Sequence, residues 1–401
     1  MQSISTRCCV VGGGPAGMMA GYLLARAGID VVVLEKHADF LRDFRGDTVH
    51  PSTMTVLDEL GLLGRFLERP HQRLAKLSAT INGRNYKLAE FSGLKVPAPF
   101  IALMPQWEFL NFLAEEARGL PSFHLRMSTE GEHLLIENGV VAGVAASSAK
   151  GPLEIRAPLV IAADGRHSVL RQEAGLPLKT LSAPIDVLWF RVGKDPGAVE
   201  QVLGHIEQGR FMVTIDRDDY WQCAYVIPKG GAGVIKAGSL AAFKEKVVTV
   251  APDLAAHIDD LAGWDDVKLL SVAVDRLEHW SRTGLLCIGD AAHAMSPIAG
   301  VGINMAVQDA LAAANLLTPV LKRDAPVPDS VLDRLRRRRL LPTRVTQAFQ
   351  VAVQNRVLVP ALAGLPLKIP FIVKTLDRFP QLRGLPARFL GIGIRPEHIE
   401  R

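Results

Sequence analysis

The sequence predicts an α/β protein: a doubly wound layer of parallel strands and helices, interrupted by a mainly antiparallel sheet and followed by a helical tail. Three observations point there. An apolar strand, a glycine turn, a helix and a second apolar strand open the chain within about 30 residues. Two later runs, "PLVIAADG" and "LLCIGDAAH", are apolar strands that end in an acidic turn. Between these pieces, over residues 74–91 and 183–240, apolar and polar positions alternate, with aromatics among them.

Taken in order, residues 7–12 read as a β-branched strand, 14–27 as a helix and "VVVLEK" as a second, buried, parallel-type strand. Ala16, Gly17, Ala20 and Gly21 keep one side of the helix small enough to approach a sheet closely, and Gly28 stops it. Pro51 and Ser52 start a helix ending near Gly61. Pro105 starts another, "PQWEFLNFLAEEA", with a clear apolar face. Residues 299–317 form a small-residue helix. "DVLWFRV", "RFMVTIDRDDYWQCAYVIP" and "GVIKAGSL" read as antiparallel strands of the inserted sheet. From residue 331 the chain is helical, in segments bounded by proline.

The 401 residues are 48% hydrophobic and 22% charged, an ordinary globular composition. Cys8, Cys9, Cys223 and Cys287 lack metal-ligand spacing and read as buried thiols of a reducing, cytoplasmic compartment. No cleavable leader and no uninterrupted apolar run of about 18 residues is seen. The net charge of +5 is uneven: residues 331–401 carry 14 Lys and Arg against 4 Asp and Glu. "RLRRRR", Arg334 to Arg339, is the densest cluster. It reads either as a solvated helix face or as an attractor for an anionic surface, lipid or a phosphorylated cofactor. No nucleic-acid motif accompanies it, so nucleic acid is discounted.

Three constellations carry chemistry. In the first, Gly12 permits a tight turn, Gly14 lets backbone approach a pyrophosphate, and Gly17 lets the helix pack on the strand. Pro15 and Ala16 open the helix, and Glu35, followed by Lys36, ends the second strand where an acid would accept hydrogen bonds from a ribose. A purely structural turn would not need that acid. The second is "ADGRHSVLR": Asp164 and Gly165 end a strand, Ser168 starts a helix, and Arg171 could pair with Asp164 or with a phosphate. An N-capped helix explains it equally well. The third is "IGDAAHAMSPIAGVGINMAVQDA". Asp290 suits a sugar or ribityl hydroxyl, Pro297 breaks the chain, and Gly300 and Gly302 open a helix whose bare amides suit an anionic ring. Asn304 could bond a heterocycle edge, while His293 is better explained by capping or support than by catalysis.

With these residues in this order, the chain resembles the FAD-dependent monooxygenases related to p-hydroxybenzoate hydroxylase, the single-component aromatic hydroxylases. Gly12, Gly14 and Gly17 match that family's ADP-binding loop, Asp164-Gly165 through Arg171 its middle motif, and Gly289-Asp290 through Pro297 its ribityl motif. The resemblance implies a Rossmann-like FAD-binding domain of residues 1–73, 103–182 and 276–330, a substrate-binding sheet domain of 74–102 and 183–275, and a C-terminal helical segment of 331–401. It implies that Glu35 binds the adenosine ribose, Asp290 the ribityl chain, and Gly302 and Asn304 the pyrimidine end of the flavin. Arg45 and Gln106 match a family arginine and glutamine near the cofactor.

The implied reaction begins with hydride from NADH or NADPH, bound transiently. Dioxygen then forms a flavin C4a-hydroperoxide, which an electron-rich aromatic ring attacks, with Pro297 bordering the pocket. Trp189, Arg191, Trp221 and Tyr225, from candidate strands of the sheet, would line an aromatic slot with one cation for a phenolate or acid. Taken singly, each is better explained as an ordinary core or edge residue of the sheet. His50 could approach the flavin. Other readings keep FAD but change the reaction: a reductase of isoprenoid double bonds, a quinone-precursor hydroxylase touching a membrane through the basic tail and "VLVPALAGLPLKIPFIVKTL", or a non-catalytic flavoprotein that sequesters a ligand. A halogenase is disfavoured, because the stretch nearest to a Trp-x-Trp-x-Ile-Pro signature is "YVIP". A monomer or homodimer is expected.

Overall fold

Cys8–Val11 is buried along its whole length and takes the centre of a six-stranded sheet. In the computed structural model, which describes residues 2–41, 48–195, 197, 204–207, 209–217, 219–323, 325–365 and 369–400, that sheet runs in the order 281–282, 285–287, 160–162, 8–11, 31–34, 123–126. Its inner pairings are parallel, and only the outermost hairpin at Ser281–Arg282 is antiparallel. Val11 pairs with Leu34 and Ala162, and Ala162 pairs with Cys287, so four strands end level with one another. Helix Pro15–Arg26 packs between this sheet and helix Gly302–Leu321. Its glycines make that possible: a Cβ on Gly21 would press on Val33 and Phe123, and one on Gly17 would collide with the Gly12 carbonyl.

Three strands over 129–156 join Gln2–Ser5 in a second, four-stranded sheet that the sequence reading did not anticipate. Its signal is present in the chain. Asn138 and Gly139 both take positive φ, 51° and 82°, as a two-residue hairpin turn requires, between alternating strands.

The inserted region builds a seven-stranded sheet in the order 268–270, 185–193, 220–228, 210–216, 204–207, 76–81, 84–90. One stretch expected as a strand is not one. "GVIKAGSL" falls in helix Ala232–Ala237 and the start of helix Leu240–Val250. Ser239 ends any strand there by capping the second helix, its hydroxyl accepting from the Ala242 amide at 3.1 Å. These helices cover one face of the sheet. The tail, after helix Asp329–Val353, covers the other, through a π-turn at Gln354–Leu358 and three shorter helices. No helix among the described residues is long and apolar enough to cross a membrane.

Candidate functional site

The residues that follow the level strand ends are Gly12, Glu35, Ala163-Asp164 and Gly289-Asp290, so the parallel sheet itself brings the three sequence motifs to one crevice. The loops interlock there. The Ala163 amide donates to the Val11 carbonyl at 2.8 Å, and the Gly12 amide to the Leu34 carbonyl at 2.8 Å. Gly12 has φ +108°, and a Cβ on it would collide with the Ala163 carbonyl. Gly289 sits against the Ala16 methyl, which would be 2.8 Å from an added Cβ. Each of these positions therefore requires glycine for packing alone.

Gly14 differs. Its φ of −75° is open to any residue, and a Cβ there would meet nothing within 4 Å. That empty space lies before the first turn of helix Pro15–Arg26, where Pro15 occupies N1 and the free amides favour an anion. Glu35 is buried, and its carboxylate accepts from the Gly13 and His37 amides at 3.0 Å each. Lys36 turns outward to Glu130 at 3.6 Å. Asp164 accepts the Val169 amide at 3.1 Å on one oxygen, while its other oxygen is buried without a donor. Burial pushes its carboxyl above the usual range, against the hydrogen bonds it accepts. Gly302 begins its helix with open space beside it. A cradle at Gly14, an orphaned acceptor at Asp164 and a bare helix start at Gly302 suit a long polar dinucleotide, so the donors and spaces present fit FAD.

Several expected residues lie elsewhere or serve otherwise. Arg171 reaches neither Asp164 nor an open crevice. It is buried and donates to the Ala291 and Arg166 carbonyls at 3.1 and 2.8 Å, clamping the second motif to the third. Arg166 instead faces Asp290, at 3.5 Å. Asn304 uses its oxygen on the His50 amide and the Thr53 hydroxyl, at 2.9 and 2.7 Å, and lines a cavity of about 30 Å³ beneath the tail. His50 is fully buried, with Nδ1–H donating to the Leu390 carbonyl at 2.8 Å. Burial holds its pKa down at about 4, so the ring is neutral and too weak to deprotonate a phenol. Gln106 is half-buried at the start of helix Gln106–Arg118, and Arg45 lies outside the described residues.

On the seven-stranded sheet, residues paired across strands share a face. Trp189 pairs with Ala224, whereas Leu188 pairs with Tyr225 and Val192 with Trp221. Tyr225 and Trp221 therefore face the covering helices. There Tyr225 packs on Phe243, with ring centres 5.4 Å apart, in a core closed to any ligand. Arg191 shares the Trp189 face but is exposed, its guanidinium 4.8 Å over the Tyr220 ring. Trp189 alone of the four turns a ring toward the tail side, among Val187, Ala224, Val226 and Leu358, in the cluster that Ile298 joins from the loop after Pro297. Its Nε1–H is buried without an acceptor.

Of two supports, the first had no reading in the sequence and the second was read only at His293. Gln347, Gln350 and Gln354 form one stripe of the tail and grip the Pro297 loop. Gln347 donates to the Ala294 carbonyl at 3.1 Å. Gln350 donates to the Ser296 and Ile298 carbonyls at 2.8 and 3.0 Å and accepts the Ser296 amide, and Gln354 donates to the Ser296 hydroxyl at 2.6 Å. Their spacing of three and four was the available signal. The second support is a buried ionic chain: His293 to Asp309 at 2.6 Å, Asp309 to Arg339 at 2.9 Å, Arg339 to Glu397 at 3.7 Å. Burial pushes the Asp309 carboxyl up, but its contacts with His293 and Arg339 hold it below the usual range. His293 is thus a support, and much of "RLRRRR" is used internally: Arg336 and Arg337 pair with Asp333, and Arg338 with Glu397 and Glu400.

Fold and loops together define a Rossmann-like flavoprotein built to hold FAD along the carboxyl ends of its parallel strands. Residues 5–349 match the FAD binding domain family. The chain belongs to that family and is a member of its FAD-dependent monooxygenases, the group related to p-hydroxybenzoate hydroxylase. It is 32% identical over 362 residues to 6-methylpretetramide 4-monooxygenase of Streptomyces rimosus, covering 88% of this chain and 84% of that one. It is 27% identical to para-nitrophenol 4-monooxygenase of Pseudomonas sp. (strain WBC-3), covering 79% and 78%. The crystal structure of p-nitrophenol 4-monooxygenase from Pseudomonas putida DLL-E4 shares the fold, with a TM-score of 0.77, 22% identity and coverage of 98% and 100%.

Proposed function

We propose that this enzyme hydroxylates a planar, phenolic or polycyclic aromatic compound, with NADH or NADPH as reductant. One oxygen atom of dioxygen enters the ring and the other leaves as water. The observation that carries this reading is the Trp189 face. It is an apolar, ring-bearing wall with one buried, unpartnered N–H, and the Pro297 loop meets it through Ile298. Such a wall stacks a flat ring and offers one hydrogen bond to its oxygen. The two relatives named above act, by their names, on aromatic compounds at a 4-position, and they support the same class here.

FAD, when bound, takes hydride from the nicotinamide and activates dioxygen. The chain does the rest. Glu35 and Asp290 would hold the ribose and ribityl hydroxyls, and Gly14 would give the pyrophosphate room. The amides at Gly302 would stabilise negative charge at the pyrimidine end. The glutamine stripe keeps the Pro297 loop in place and Trp189 orients the ring, while the apolar wall excludes water. Four unpaired, buried thiols support a cytoplasmic setting. The test is single-turnover oxidation of NADH and NADPH by the FAD-loaded protein under ¹⁸O₂, with a panel of phenols and fused-ring phenols. Ligand-stimulated oxidation with one ¹⁸O per product supports the reading. Oxygen-independent reduction of an isoprenoid alkene, or ligand binding without nicotinamide oxidation, would replace it.

A further inference from the structure

We propose that the short helices near the C-terminus form a docking surface for an anionic lipid bilayer. Among the described residues, sixteen large apolar side chains are exposed, and six of them fall between positions 365 and 385: Leu365, Phe371, Ile372, Phe379, Leu382 and Leu385. Phe371 is 84% exposed, Ile372 66% and Leu385 67%. Helix Phe371–Arg378 shows why. Its Val373 and Asp377, four apart, turn inward, Val373 into an apolar cluster and Asp377 onto Arg84. Phe371 and Arg378, seven apart, therefore point outward, flanked by Ile372 and Lys374. In helix Gly384–Gly391, Ala387 and Gly391 are buried while Leu385 and Arg388 are exposed.

Charge decides the occupant. Residues 365–390 contain five Lys and Arg against one acid. That acid, Asp377, already accepts from Arg84 and the Lys87 amide, and Arg383 is used on the Leu376 and Asp377 carbonyls. Lys374 and Arg388 are exposed and have no carboxylate partner among the described residues, and Arg378 lies against Phe379. Two copies meeting through this face would oppose like charges. An anionic bilayer offers headgroups to the cations and an acyl boundary to Phe371, Ile372 and Leu385 together. The denser "RLRRRR" is not that surface, because four of its five arginines pair with acids of the chain. The proposal stands independently of the aromatic-hydroxylase reading.

Co-sedimentation of the FAD-loaded protein with vesicles tests it. One set is phosphatidylcholine alone, and the other contains one part in three phosphatidylglycerol. Binding to the anionic set is expected to be at least roughly tenfold tighter and to weaken as salt is raised. Phe371→Ser/Ile372→Ser and Lys374→Glu/Arg378→Glu each change only exposed side chains. Each should lower vesicle binding roughly tenfold without changing the melting temperature or nicotinamide oxidation. The proposal is overturned by equal or absent sedimentation with both vesicle types at 0.1 M salt. It is also overturned by binding that neither double variant affects, or by a dimer that Phe371→Ser/Ile372→Ser disperses.

Discussion

His50 shows what a single burial does. Its ring is neutral in the folded chain, with a pKa lowered to about 4, against about 6.5 unfolded. Between those values the unfolded state binds the extra proton, so stability rises with pH across the window and is complete above it. The shift corresponds to about 3 kcal/mol lost between pH 6.5 and pH 4. His50→Asn keeps a donor for the Leu390 carbonyl, and denaturant melts of that variant should lose this pH dependence. Trp189→Phe keeps the ring and removes the N–H. Titration with an accepted aromatic ligand should show roughly tenfold weaker binding, and an unchanged constant would place the substrate oxygen elsewhere. His50 and Tyr225 also mark where residue-level reading ran out. The alternation of strand 220–228 puts Trp221 and Tyr225 on one face, but does not say which face the tail would cover. Nothing local to His50 announced a cap from Leu390, 340 positions away.

At the scale of elements, the crevice is a consequence of register. Val11, Leu34, Ala162 and Cys287 end level, so glycine and acid residues one or two positions later must converge. This was legible, because each strand is short, apolar and closed by an acidic or glycine turn. The glutamine stripe was not, since its partners are loop carbonyls that only the folded tail reaches. Gln350→Leu removes three hydrogen bonds to the Pro297 loop. Nicotinamide oxidation is expected to continue while the ratio of hydrogen peroxide to hydroxylated product rises, and unchanged coupling would separate the stripe from the reaction. The ionic chain behaves differently. Arg339→Met leaves Asp309 buried with one partner fewer and should cost about 3–5 kcal/mol in urea unfolding. Asp309 stays depressed only because His293 and Arg339 outweigh its burial.

In the whole molecule the two largest sheets follow different logic: a mainly parallel one whose strand ends suit the cofactor, and a mainly antiparallel one whose second face meets the tail. The first was readable from motifs. The division of roles across the second was not, because burial on its two faces is set by helices 232–250, which the sequence reads in part as a strand, and by the tail, distant in sequence from the strands it covers. The tail thus supports the crevice, closes the Trp189 wall and carries the exposed basic face. The central claim is that the glycine turn holds the FAD pyrophosphate, and Gly14 allows it to be tested apart from folding. Its φ suits any residue and a Cβ there meets no atom within 4 Å, so Gly14→Val should fold with the melting temperature of the cofactor-free wild type. FAD titration followed by flavin fluorescence and melting temperature is the measurement. One FAD per chain with a raised melting temperature in the wild type, and neither in Gly14→Val, is the expected result. FAD binding by Gly14→Val as tight as that of the wild type would contradict it.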